Sequence, residues 1–140
     1  MTFARKIAFV CLHGSAKSLI AAEYLNRSAH DRGLPWTATT SGPEPDAEVP
    51  ANVIDGLLGH GIDARARMPE LLTTQGLAGA DQIVSFGCDL GRYAVGGRPV
   101  ERWDECPTVS DDFEVAWSFI TGRVTQLIDQ LAREGAAHVR

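Results

Sequence analysis

The chain lacks most of the features that place a protein in a class at sight. No run of lysine or arginine occurs in its 140 residues, and acidic residues outnumber basic ones, 18 to 13. The resulting net charge of −5 argues against nucleic acid as a partner. No apolar stretch approaches the roughly 20 residues of a membrane span, so a membrane partner is not expected either. The apolar run after Arg5 and Lys6 stops at Cys11 and His13, too short and strand-like for a signal peptide. Only three cysteines are present, Cys11, Cys88 and Cys106, with neither a CxxC pair nor a Cys/His cluster. An odd number at irregular spacing argues against a secreted disulfide framework and against structural zinc. A reducing cytoplasm is the expected compartment. Repeats, low-complexity tracts and linkers are absent too, so 1–140 reads as a single domain with an adequate core.

What is present centres on Cys11-Leu12-His13-Gly14-Ser15-Ala16-Lys17-Ser18, between an apolar run, Ile7 to Val10, and an Ala/Leu-rich helical segment. A strand that turns through small residues into a helix aims several N–H groups at one spot. That spot lies at the positive end of the helix dipole and suits an anion. The same field favours a thiolate at Cys11, the nucleophilic form of cysteine. Lys17 supplies a cation and Ser18 a hydroxyl, with the N–H groups from Leu12, His13, Gly14, Ser15, Ala16 and Lys17 as the cradle. A lone cysteine at a strand end is also a common small core residue; the loop behind it turns the reading toward chemistry. Ala16-Lys17-Ser18 imitates the end of a nucleotide-binding P-loop. Both glycines of that motif are replaced, by Cys11 and Ala16, and no strand ends in a convincing magnesium-binding aspartate.

Elsewhere the pattern alternates strands and helices. Lys6–Val10 reads as a buried strand, and Ala21, Ala22, Leu25 and Ala29 mark one face of a helix stopped at Gly33. Trp36–Thr40 and Gln82–Phe86 read as strands, and Val100–Trp103 as a short edge strand. Pro50 suits the first turn of a helix carrying Val53, Ile54, Leu57 and Leu58, closed by Gly61. Pro69–Leu77 suggests a short helix with Leu71 and Leu72 inward, and 87–99 a glycine-rich excursion holding Cys88 and Tyr93. Asp111 and Glu114 resemble a capping box before a long helix whose face is Ala116, Phe119, Ile120, Leu127, Ile128 and Leu131, ended by Gly135. The four histidines, His13, His30, His60 and His138, suit surface positions, with His13 shaping the loop. Such alternation implies an α/β fold: a three-layer α/β/α domain around a small four-stranded parallel sheet. Ligands of such sheets bind beyond the carboxyl ends of the strands, where Cys11 lies.

The combined motifs resemble the low-molecular-weight protein tyrosine phosphatase superfamily, and within it the arsenate reductases. The signature of a strand, Cys, five residues, Arg-Ser and a helix with Ala-Glu appears as Phe9-Val10-Cys11, Lys17-Ser18 and Ala22-Glu23. Thr40-Ser41-Gly42 with Glu44-Pro45 resembles the reductases' Ser-Ala-Gly-Thr-Glu-Pro, and Gly61-Ile62-Asp63 their Gly-Ile-Asp. Asp81 to Cys88 resembles their third strand, and Glu101-Arg102-Trp103 a tryptophan that follows it. The resemblance implies that Cys11 attacks phosphorus or arsenic while the basic residue clamps the oxyanion and Ser18 steadies the thiolate. Phosphate, arsenate or a similar oxyanion is then the ligand, with a phosphorylated protein as one possible source. No cofactor is implied, save a thiol reductant such as thioredoxin if the chain reduces arsenate.

Two positions depart from that pattern. Lys17 replaces the arginine, and a hydrated point charge cannot grip two oxygens as a planar fork does. The general-acid Asp-Pro reads Cys106-Pro107, leaving Asp104 and Asp111 as candidates for a displaced acid; Asp111 reads first as a helix cap. Cys88 occupies the position of the first regenerating cysteine, the second is missing, and Cys106 is a candidate for it; simple packing explains both cysteines as well. Trp103 and Tyr93 suit either the mouth of the site or edge packing. The expectation is a cysteine-dependent phosphatase or arsenate-reductase-like enzyme forming a thiol–oxyanion adduct on Cys11. The alternative is a degenerate member that binds phosphate, or a phosphorylated partner, without turnover.

Overall fold

In the computed structural model, which describes residues 5–91 and 99–138, strand β1 (Arg5–Val10) runs through the middle of the sheet. Its last four residues are buried, as a central strand covered on both faces requires. β2 (Trp36–Ser41) pairs with it on one side and β3 (Gln82–Ser85) on the other, and β4 (Val100–Arg102) forms the far edge. All pairings are parallel and the order is β2-β1-β3-β4, as the alternating pattern predicts. Strand order therefore reverses at β1, which makes its carboxyl end the place for a ligand.

Alternate residues of β1 feed two cores. Ile7 and Phe9 join the larger one, formed with α1 (Lys17–Asp31), α2 (Ala51–Gly59) and α4 (Phe113–His138). Ala8 and Val10 face the smaller one, with Ile83, Leu72 and Leu77 from α3 (Thr74–Ala78). Behind β1 the rings of Phe9, Phe86 and Trp103 pack with centroids 5.5 to 6.4 Å apart. Trp103 is only 1% exposed; it supports the site from within the core rather than lining its mouth. His60 is not a free surface residue. Its ring stacks 4.0 Å from that of Trp117, and Nε2 lies 2.9 Å from Glu114 Oε1, which fastens the end of α2 to α4.

Three local expectations differ from what is observed. Leu71 points outward and is 59% exposed, because residues 70–72 are extended rather than helical. Gly42 N–H donates to Glu70 O at 3.0 Å and Leu72 N–H to Gly42 O at 2.8 Å, and in extended chain successive side chains face opposite ways. The short helix accordingly starts later, with Thr73 Oγ1 capping it through Gly76 N–H at 2.9 Å. α4 runs through Gly135 to His138; a helical glycine costs about 1 kcal/mol, offset here by the helix formers around it. Most of the excursion over 87–99, Tyr93 included, lies outside the described residues. Among the described residues no helix is long and apolar enough to cross a membrane.

Candidate active site

Cys11 directly follows β1, and the chain then bends through residues 12–16 before α1 begins at Lys17. Two glycines make that path possible. Gly14 has φ of +60°, a backbone region that L side chains avoid. A Cβ on Gly42 would come within 2.6 Å of Cys11 O, Gly14 N and Leu12 O, so the loop lies flat against the end of β2. The segment after β2 is tied to it as well, through Glu44 N–H to Leu12 O at 3.0 Å and Asp46 N–H to His13 O at 3.3 Å.

α1 starts without a side-chain cap. Among the described residues, the N–H groups of Leu12, His13, Gly14, Ser15, Ala16 and Lys17 donate to no protein acceptor. Unpaired donors at a helix start are what an anion satisfies. The Lys17 ammonium likewise has no ion-pair partner among the described residues, and the side chain lines the same cavity as Cys11.

That cavity measures about 330 Å³. Cys11, 7% exposed, is its most enclosed polar group along with Ser15. Phe86, Val53 and Val109 give it apolar walls, and the exposed His13, Thr108 and Ser110 rim it with the half-buried Asp46. Its polar side chains are few and converge, as in small-ligand sites generally.

The cysteine sulfur is held by a chain of hydroxyls. Cys11 Sγ lies 3.0 Å from Ser18 Oγ, which lies 2.7 Å from Thr40 Oγ1 in β2. An ionised sulfur has no proton to give, so with a thiolate Ser18 donates to sulfur and Thr40 donates to Ser18. His13 Nδ1 lies 2.8 Å from Glu44 O, the loop-shaping contact expected of it.

The other sequence candidates are divided. Cys106 shares the larger core with Cys11, whereas Cys88 packs in the smaller one with Ala8 and Val10. Ser85 fixes the Cys88 turn, donating from Oγ to Cys88 O at 2.9 Å and accepting from Cys88 N–H at 3.0 Å. Burial pushes the Cys88 thiol up to about 11, with the nearby Cys11 sulfur acting in the same direction and Lys17 opposing it. Burial likewise lifts Cys106 to about 11 against the pull of Lys17. Asp104 lies outside the cavity, paired with Arg102 Nε at 3.1 Å. Asp111 is exposed outside it too, and the cap of α4 is its neighbour Asp112, whose Oδ1 accepts from Val115 N–H at 3.2 Å.

Sequence reasoning missed Thr40, Asp46 and the Asn52 and Val109 walls. The first two had a usable signal: they sit at the carboxyl end of the strand beside β1, where such sheets bind ligands.

Solved structures with this architecture include a thioredoxin-dependent arsenate reductase from Corynebacterium glutamicum, with a TM-score of 0.80 at 21% identity over 94% of this chain. The chain spans only 63% of that protein's length. A low molecular weight protein tyrosine phosphatase from T. tengcongensis superimposes with a TM-score of 0.78 at 18% identity, covering 91% of this chain and 99% of its own. An arsenate reductase solved in a phosphate-binding state gives 0.76 at 21% identity, with 90% and 98% covered. No curated protein sequence matches the chain. The sequence profile of the low molecular weight phosphotyrosine protein phosphatases matches residues 6–91, more than half of the chain and the whole of the cysteine loop. The chain therefore belongs to the low molecular weight phosphotyrosine protein phosphatase family.

Proposed function

We propose that this protein is a cysteine-dependent enzyme of the phosphatase and arsenate reductase type, which binds a tetrahedral oxyanion in the cradle of residues 12–17 and forms an adduct on Cys11. The observation that carries this reading is the geometry at sulfur. Cys11 Sγ receives a hydroxyl at 3.0 Å beside a helix start whose amides are unpaired among the described residues. Both features favour negative charge, first on the thiolate and then on the bound oxyanion. Lys17 adds a cation that needs no partner displaced. The similar arsenate reductase solved in a phosphate-binding state supports an oxyanion as the ligand class.

Alkylation of Cys11 by iodoacetamide near neutral pH tests the proposal, because Cys11 lines the cavity whereas Cys88 and Cys106 do not and are held protonated. Phosphate or arsenate is expected to slow the labelling, and Cys11→Ser to abolish both labelling and hydrolysis of p-nitrophenyl phosphate. A labelling rate indifferent to both anions refutes the site.

A second reading has its own support. Lys17 stands for the family's arginine, and Asp104 and Asp111 both lie outside the cavity. A protein that binds phosphate or a phosphorylated partner without turnover fits those facts, and shows anion protection of Cys11 with no hydrolysis.

A further inference from the structure

We propose that Asp46 is the proton donor for the leaving group at Cys11, taking over from the carboxylate missing at Cys106-Pro107. This rests on the nucleophilic role of Cys11 proposed above. Among the described residues, Asp46 supplies the only carboxylate on the wall of the Cys11 cavity. It enters from the β2 side, not from the segment before α4 where Asp104 and Asp111 lie.

Its placement is fixed on two levels. The backbone joins the nucleophile loop through Asp46 N–H to His13 O at 3.3 Å. The side chain accepts from Ser15 Oγ at 2.6 Å through Oδ2, and Ser15 is 1% exposed, so the donor hydroxyl is locked. Oδ1 is left with no hydrogen bond among the described residues. It lies 3.7 Å from His13 Nδ1, whose hydrogen bond goes to Glu44 O at 2.8 Å. One carboxyl oxygen therefore orients the group and the other is free to carry a proton at the rim, with the side chain 40% exposed.

Among the described residues Lys17 is the cavity's single permanent cation, and it sits on the same wall as Asp46. A protonated Asp46 carboxyl there carries the proton that a leaving oxygen needs. In the first step the Cys11 thiolate forms the S–P bond, the P–O ester bond breaks, and the departing oxygen takes the Asp46 proton. In the second, water attacks phosphorus and gives a proton back to Asp46; the S–P bond breaks, releasing phosphate and the thiolate. Phosphorus keeps its oxidation state throughout, and no further reactant is needed.

Leaving-group dependence tests the assignment. Asp46→Asn keeps an acceptor for Ser15 but has no acidic proton to transfer. Hydrolysis of phenyl phosphate, whose poor leaving group needs protonation, is expected to fall by about 10²- to 10⁴-fold. Hydrolysis of 2,4-dinitrophenyl phosphate, whose leaving group needs little help, is expected to change by less than tenfold, roughly, on the same reasoning. Asp46→Glu is expected to recover part of the phenyl phosphate rate. Equal losses on the two esters, or no loss on either, overturn the proposal and leave Asp46 as a loop brace. A selective loss in His13→Gln with none in Asp46→Asn overturns it in favour of the imidazole. Protection of Cys11 from iodoacetamide by phosphate is measured on wild type in parallel. Protection with no wild-type turnover of either ester overturns the acid while the oxyanion site stands; absence of protection fails both.

Discussion

Gly42→Ala is the most demanding test of how the Cys11 loop is built. A Cβ at this position meets Cys11 O at 2.4 Å, Gly14 N at 2.5 Å and Leu12 O at 2.6 Å. All three are backbone atoms, so no side chain can swing aside to relieve the clash. Leu12 O is also held by Glu44 N–H at 3.0 Å, and a Cβ on Gly14 would in turn lie 2.8 Å from Gly42 N, so the loop has no room to retreat. Overpacking of a well-packed site costs typically about 1–3 kcal/mol, and immobile contacts place this one at the upper end, about 3 kcal/mol. With a urea slope of about 1–3 kcal/mol per molar, the unfolding midpoint is expected to fall by roughly 1 M or more.

The same substitution has a functional signature. The atoms it displaces belong to the cradle, so phosphate is expected to lose its hold on the fold. At a concentration one hundred times its dissociation constant, a ligand stabilises the native state by about 2.7 kcal/mol; in Gly42→Ala that increment is expected to vanish. Gly122→Ala is the control. It sits on α4 with nothing within 4 Å of the new Cβ, and a helical Gly→Ala change stabilises by roughly 0.5–1 kcal/mol while leaving the phosphate increment intact. Urea unfolding with and without phosphate reads both effects. A Gly42→Ala protein with the wild-type midpoint and the wild-type phosphate increment refutes the packing of the loop against β2.

Two further outcomes follow from the site. Lys17→Arg supplies a planar fork where the lysine gives one point charge, and a well-placed oxyanion donor is worth about 10²–10³ in kcat. Hydrolysis of p-nitrophenyl phosphate is therefore expected to speed up by on the order of tenfold to a hundredfold; a slower enzyme shows a cavity shaped to the ammonium. The second concerns the buried thiols. Cys88 and Cys106 are lifted from an ordinary value near 9 to about 11, so above pH 9 the unfolded chain loses protons that the folded one keeps. Stability is thus full below about pH 9 and falls between about pH 9 and 11. Urea midpoints of Cys11→Ser across that range are expected to drop, and less steeply when Cys106→Ala is added. A midpoint that stays level from pH 9 to 11 contradicts the burial.

What could be read from the sequence was local. The apolar run before Cys11, the helical spacing after Ser18 and the β-rich Trp36–Thr40 each specify an element through short-range periodicity, and alternation of those elements fixes a parallel sheet. The unpaired amides of the loop were legible for the same reason, since they belong to consecutive residues. Leu71 was misread because two adjacent leucines look like a helix face, and only pairing with Gly42 makes the segment extended. Which of the other two cysteines shares a core with Cys11 could not be read. Cys11 and Cys106, 95 positions apart by number, share one core, whereas Cys88 lies in the other.

The acid shows the limit most sharply. Sequence comparison looks for a lost group where the pattern last had it, so it pointed to Asp104 and Asp111, both near Cys106. Chemistry asks only that a carboxyl reach the cavity. In a parallel sheet, neighbouring strands lie about 4.8 Å apart, and their carboxyl ends open on the same side. Ser41 is the register partner of Val10, so the loop leaving β2 starts beside the loop that carries the nucleophile. Asp46, five residues past Ser41, needs no unusual geometry to reach the rim; Asp104 is already engaged by Arg102 beyond the edge strand. Position in the sheet, rather than distance from the missing residue along the chain, decides which carboxylate can serve.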